Sequence, residues 1–246
     1  MSELQILYRD DDYIVINKPS GLLVHRSEID KRETRFALQM LRDQIGQRVY
    51  PVHRLDKPTS GVLVFALHSG AASKLQQAFS ERQVNKEYMA VVRGYAPESG
   101  IIDYALSDKR EKEEKRHADD LREPQPALSE YQRIATIELP FSTGRFSTSR
   151  YSLVRVVPET GRKHQIRRHL HHIAHPIIGD TRYGEGRHNR LFREQFQSYR
   201  LLLWSRSVSF SHPFTGEEIQ VSTGVPEDIM PLFDRFGWPD PQNGQC

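Results

Sequence analysis

The stretch that most constrains this chain is His53-Arg54-Leu55-Asp56-Lys57-Pro58-Thr59-Ser60-Gly61, which runs straight into the apolar sextet Val62-Leu63-Val64-Phe65-Ala66-Leu67. A short apolar run with β-branched residues predicts a buried strand. Pro58 and Gly61 punctuate the backbone just ahead of it, which sets Asp56 on a fixed loop at a sheet edge. A carboxylate held there is well placed for chemistry. On residue types alone, the same string also describes a polar turn capping a strand.

Other elements follow from periodicity. Leu4–Tyr8 and Tyr13–Asn17 predict a hairpin joined by Asp10-Asp11-Asp12, and Asn17-Lys18-Pro19-Ser20-Gly21 a turn. Between Glu33 and Arg48, Phe36, Met40, Leu41 and Ile45 recur at near-helical spacing, with Gly46 close to the end. Ser69–Arg82 predicts a second helix with Leu75, Ala78 and Phe79 inward. Lys86–Gly94 predicts a strand with Tyr88, Ala90 and Val92 on one face. Strands follow over 127–138 and 150–157, then a helical stripe of Ile166, Leu170, Ile173 and Ala174. A polar, basic segment around Arg187–Arg190 precedes a strand at Leu201–Trp204 and a closing hairpin with Glu218–Ser222. The expectation is an α+β fold: a central mixed, mostly antiparallel sheet flanked by helices and loops. Residues 1–246 are expected to form a single catalytic domain. Within it, residues 107–126 carry mixed charge, almost nothing apolar, and Pro124 and Pro126. Such a segment predicts a mobile surface excursion.

Charge and composition narrow the function classes. No apolar run approaches a membrane span, and Met1-Ser2-Glu3-Leu4 lacks the basic and apolar regions of a signal peptide, so the expected compartment is the cytoplasm. The single cysteine, Cys246, excludes an intrachain disulfide framework and a cysteine-based zinc site. Net charge is only +3, yet between Leu139 and Gly179 the sole acid is Glu159, against Arg145, Arg150, Arg155, Arg162, Lys163, Arg167 and Arg168. A stripe of this kind suits either a phosphate backbone or a solvated face. His164, His169, His171, His172 and His175 invite a metal reading, and His171 and His175 stand at i, i+4. The glutamate of a His-Glu-x-x-His helix is absent, so no metal is expected and these histidines should face solvent or phosphate.

Four segments together resemble the RluA-type pseudouridine synthase family: His-Arg-Leu-Asp with Thr-Ser-Gly at 53–61, Asn-Lys-Pro-Ser-Gly at 17–21, Lys-x-Tyr at 86–88, and Gly-Arg-x-His-Gln-Ile-Arg-x-His-Leu at 161–170. The likeness runs from about Ile6 to Trp238. It implies the pseudouridine synthase fold, with Asp56 as the catalytic residue and Arg167 as its cationic partner. Tyr88 then packs against the target base, Arg54 fills the vacated stack or holds the flipped nucleotide, and Ile166 joins the substrate-contacting set. Lys18 and Pro19 shape the floor of the site.

The resemblance implies an enzyme without cofactor or metal, acting on structured RNA, with no membrane association and no obligate protein partner, and expected as a monomer. The chain length, the lack of an appended N-terminal RNA-binding domain, His25-Arg26-Ser27, Asp43–Gln47 and Phe236-Gly237-Trp238 resemble the branch of the family that modifies uridine 65 in the T-stem of certain tRNAs. A sister enzyme acting on ribosomal RNA and a non-catalytic RNA-binding protein with the same fold are the alternatives.

Overall fold

Ten strands pair into one sheet in the computed structural model, which describes residues 3–25, 34–107 and 123–240. In chain order they are β1 (Gln5–Arg9), β2 (Tyr13–Lys18), β3 (Tyr50–Pro51), β4 (Ser60–Ala66), β5 (Asn85–Arg93), β6 (Ser99–Asp103), β7 (Leu128–Leu139), β8 (Ser149–Pro158), β9 (Leu203–Ser211) and β10 (Glu218–Ser222). Their spatial order is β1-β2-β4-β9-β5-β8-β7-β6, with β10 on β9 and β3 on β4. Among the described residues β4 and β9 form the one parallel pair, and the other pairs are antiparallel. The five helices are α1 (Ala37–Ile45), α2 (Ser69–Ser80), α3 (Gln165–His172), α4 (Gly186–Phe196) and α5 (Met230–Phe236). The architecture is α+β, as expected.

Every residue of β4 is buried because both faces of the sheet are covered there. On one face, Ile14, Ile16, Leu63, Phe65 and Tyr88 pack with Leu41 of α1 and with Ile166 and Leu170 of α3. On the other, Tyr13, Val15, Val62 and Val64 pack with Ala71 and Leu75 of α2. Further along that second face, Trp204 and Tyr151 meet Phe192 of α4 and Phe233 of α5. Burying each large apolar side chain contributes about 1.5–3 kcal/mol, so this alternation along β4 fixes its register.

Gly61 enters β4 at φ 105°, where an added Cβ would lie 2.1 Å from the Ser205 carbonyl oxygen. The parallel pairing Gly61↔Ser205 therefore requires glycine. That contact anchors the end of the loop carrying Asp56.

Several elements differ from the sequence expectation. The basic segment near Arg187 is helix α4, whose buried face includes the polar His188 and Asn189 beside Leu191 and Phe192. β9 begins at Leu203 and continues to Ser211, with β10 paired antiparallel along it. α3 stops at His172, and Ala174, at φ 63° and exposed, is not part of the inward stripe. Most of the charged excursion, residues 108–122, lies outside the described residues, as do Arg26 and Ser27. The two ends of that excursion are tied by reciprocal backbone bonds between Leu106 and Gln125, 2.9 and 3.0 Å long.

Candidate active site

The loop bearing Asp56 is held from beneath by the Asn17–Gly21 turn. Lys18, fully buried, donates from Nζ to the carbonyls of Leu22 at 2.7 Å, Pro19 at 3.0 Å and Lys57 at 3.2 Å. Ser20 Oγ donates to the Pro58 carbonyl and the Gly21 amide to the Lys57 carbonyl. Burial, and then the charge of Arg200, pull Lys18 down to about 7 against the opposing pull of Asp56. The turn is thus tied to the Asp56 loop through the Lys57 and Pro58 carbonyls. His53 does a different job: its Nε2 accepts from the Val64 amide and its ring stacks on Phe79, while burial lowers its pKa to about 3, keeping it a neutral acceptor.

Arg167 meets Asp56 from α3, with Nη1 3.3 Å from Oδ2. Its Nε and Nη2 grip Asp180 at 2.8 and 2.9 Å, a bidentate clasp between two buried groups. Asp180 also accepts from the amides of Arg182 and Tyr183. Burial opposes its charge, but the bonds from Arg167 and these amides outweigh it and hold the carboxyl below its ordinary value. Burial likewise opposes the guanidinium, and Asp180 and then Asp56 raise it instead. Gly179, at φ 79° with no room for a Cβ beside Arg200, allows the turn that sets Asp180 under Arg167.

His164 faces the other oxygen of Asp56. It sits at φ 57°, a strained backbone state for a side chain of this size, immediately before α3. Its Nε2 lies 3.8 Å from Asp56 Oδ1 and its Nδ1 3.0 Å from the Tyr183 hydroxyl. Burial, with Arg167, Arg182 and Lys163 nearby, lowers its pKa despite Asp56, so the ring is neutral near pH 7. Burial raises the Tyr183 phenol, which stays protonated beside Nδ1 and ties the ring to the turn after Asp180.

Asp56, His164 and Arg167 line a cleft of about 930 Å³ that also holds Arg54, Tyr88 and Ile166. All five residues singled out in the sequence thus share one cavity. Tyr88 is 9% exposed and belongs to the core face of β5, and burial followed by the charge of Asp56 raises its hydroxyl well above the ordinary tyrosine range. Ile166 is packed with Leu170 in the same cluster. Arg54 is exposed at the edge and makes no ion pair or hydrogen bond among the described residues.

The histidine expectation needs correcting. His169 is fully buried, bonded to Ser129 Oγ and the Tyr104 carbonyl, and His175 bonds the Arg93 carbonyl. His172 stacks on Tyr104 at 3.7 Å, and His171 is exposed. Among the described residues one trio with ligand-like spacing occurs elsewhere, Asp10, Asp12 and His212. There His212 Nδ1 accepts from the amides of Phe214 and Thr215, so Nε2 carries the proton and lies 3.4 Å from both acids. That pattern is a hydrogen-bonded knot in which a neutral imidazole turns its N–H toward the two acids, with no ring lone pair facing them for a cation.

The family model for RNA pseudouridylate synthase aligns with residues 12–172 of this chain. The chain belongs to the RNA pseudouridylate synthase family. This synthase is 50% identical to tRNA pseudouridine synthase C of Vibrio parahaemolyticus, over 96% of both chains. It is 51% identical to the protein of that name from Haemophilus ducreyi, over 96% of this chain and 97% of that one. Among solved structures it resembles human RNA Pseudouridylate Synthase Domain Containing 1, at 28% identity and a TM-score of 0.71, covering 97% of this chain and 89% of that one. No helix among the described residues of the synthase is long and apolar enough to cross a membrane. Asp180, His164 and Tyr183 complete the surroundings of Asp56 and Arg167, and no local mark in the sequence singles out the first and third. His164 stands in the Gly-Arg-x-His-Gln-Ile-Arg string and among the five clustered histidines, without a role of its own in either.

Proposed function

We propose that this chain converts a uridine of tRNA to pseudouridine, with uridine 65 of the T-stem as target and Asp56 as the catalytic residue, residues 1–246 acting as one catalytic domain. The reaction breaks the bond from ribose C1′ to N1, turns the uracil and rejoins it through C5, after which the C5 proton is lost and N1 gains one. Bonds and protons balance and no electron changes hands, so the isomerisation itself calls for no cofactor. It does call for one ionised carboxylate against the sugar, whether that group attacks covalently or removes a ribose proton.

The observation that carries this reading is the pairing of Asp56 with Arg167 inside a cleft that also holds an aromatic ring. A guanidinium at contact favours the charged carboxylate, and Asp180 keeps that guanidinium in place. Everting a stacked base costs a few kcal/mol, and stacking it on Tyr88 returns roughly 1–3 kcal/mol. Arg54, exposed and uncommitted, has the planar guanidinium that suits the vacated stack. The tRNA target rests on the bacterial relatives, which are named tRNA pseudouridine synthase C. Mapping pseudouridine in tRNA and ribosomal RNA from a deletion strain tests it: loss at tRNA position 65 alone is the expected result, and loss confined to ribosomal RNA overturns the assignment.

A further inference from the structure

The cleft carries more positive charge than the reaction at Asp56 uses. Its lining holds Arg54, Arg82, Lys86, Arg162, Lys163 and Arg167, against only Asp56 and Glu159 as acids. Arg167 is committed to Asp56 and Asp180, and Arg162 donates to the Pro126 carbonyl. Lys86, Arg82 and Arg54 make no side-chain hydrogen bond or ion pair among the described residues.

Lys86 is the residue that needs explaining. It sits two positions before Tyr88 on β5, and both residues line the cleft. The acid beside it, Glu87, points the other way and is bonded to Arg206 and Arg155. Lys86 is partly buried beside His53 and Phe79, and that burial lowers its pKa. An ammonium taken from water without a counter-charge is costly, and two further unpaired cations in the same lining add to the cost. The arrangement becomes favourable when an anion arrives. Arg82, at φ 61° just past the end of α2, is carried into the lining by a backbone turn that most side chains avoid.

We infer that Lys86 and Arg82 form a subsite for a backbone phosphodiester next to the everted nucleotide. The inference rests on the RNA reading above and adds to it a direction: the strand leaves the reacting uridine past Tyr88 toward the end of α2. Neutralising a phosphate releases counterions, so each contact contributes to the salt dependence of binding.

The test measures the affinity of T-stem RNA across a salt series for the otherwise wild-type chain, Lys86→Gln, Lys86→Arg, Arg82→Gln and the Lys86→Gln/Arg82→Gln pair, with steady-state turnover alongside. Each Gln variant should reduce the slope of log affinity against log salt by about 0.7–0.9 and the pair by about twice that, with KM rising and Lys86→Arg keeping the slope. An unchanged slope in both single Gln variants overturns the subsite, as does a loss confined to kcat. Arg82 is exposed, so Arg82→Gln gives the same readout if Lys86→Gln fails to fold. A wild-type chain that neither binds nor modifies RNA sinks the functional reading itself; a competent wild type with insensitive slopes sinks only the subsite.

Discussion

Arg167 reaches Asp56 across 111 positions of sequence and holds one of its oxygens at 3.3 Å, while its remaining nitrogens are spent on Asp180. The two acids differ in exposure. Asp180 is a buried anchor with a side chain 1% exposed, and Asp56, at 19%, is the one that substrate can reach. One guanidinium thus joins a buried carboxylate to an accessible one.

Breaking the buried half of that relay should be expensive. Asp180→Ala leaves Arg167, 6% exposed, with Asp56 as its one remaining acid partner, and removal of one member of a buried pair costs about 3–5 kcal/mol. Urea unfolding of Asp180→Ala should show that loss, with a much smaller one for Asp56→Ala. Equal losses would contradict the division of labour.

His164 stands 3.8 Å from the second oxygen of Asp56, its ring held in place by the hydrogen bond between Nδ1 and the Tyr183 hydroxyl. A misplacement near 1 Å at a reacting group costs about 10²-fold in rate. Accordingly, His164→Leu should lower kcat by about that factor with little change in KM, His164→Gln should recover much of it through its side-chain N–H, and Tyr183→Phe should fall between. Stopped assays at saturating RNA read this directly; a change in KM alone would mean that His164 serves only to bind.

Tyr88 combines a stacking face with a hydroxyl near the charge of Asp56. Tyr88→Phe keeps the ring, so RNA affinity should stay within about twofold while turnover slows. Tyr88→Leu removes the face as well and should weaken binding by the roughly 1–3 kcal/mol of base–aromatic stacking. Full turnover in Tyr88→Phe would reduce the residue to a platform.

Lys18 makes a pH prediction of definite sign. Its native value is about 7 against an unfolded value of 10.5, so between those limits the unfolded chain holds more protons than the native one. Stability contributed by this group therefore rises with pH over that window, by at most about 1.4 kcal/mol per pH unit, and is flat below about pH 7 where both states are protonated. Chemical denaturation of the wild type and Lys18→Met between pH 7 and 10 should differ by that slope. Parallel curves would show that Lys18 titrates normally.

The motifs singled out residues that meet in one cleft and the hydrophobic pattern gave most of the sheet, for separate reasons. Asp56, Tyr88 and Arg167 sit in strings specific enough to carry roles, and Val62–Leu67 is apolar because it is covered on both faces. Asp180 was illegible because a lone acid after a glycine looks like any turn, and its meaning arises only when α3 brings Arg167 over it. α4 was hidden because it buries His188, bonded to Tyr151, and Asn189, bonded to Gly179, in place of an apolar stripe. The end of β9 was hidden by Ser205-Arg206-Ser207, where Arg206 turns to Glu87 and breaks the apolar run. In each case polar residues are buried against partners far away in sequence, which periodicity does not register.

The most direct test of the account is tritium release from tRNA labelled at C5 of uridine, measured for the wild type and Asp56→Asn with RNA binding checked in parallel. The substitution keeps the shape beside Arg167 and removes the negative charge, so the account predicts RNA binding with no tritium released. Release from Asp56→Asn at a rate near that of the wild type would contradict it.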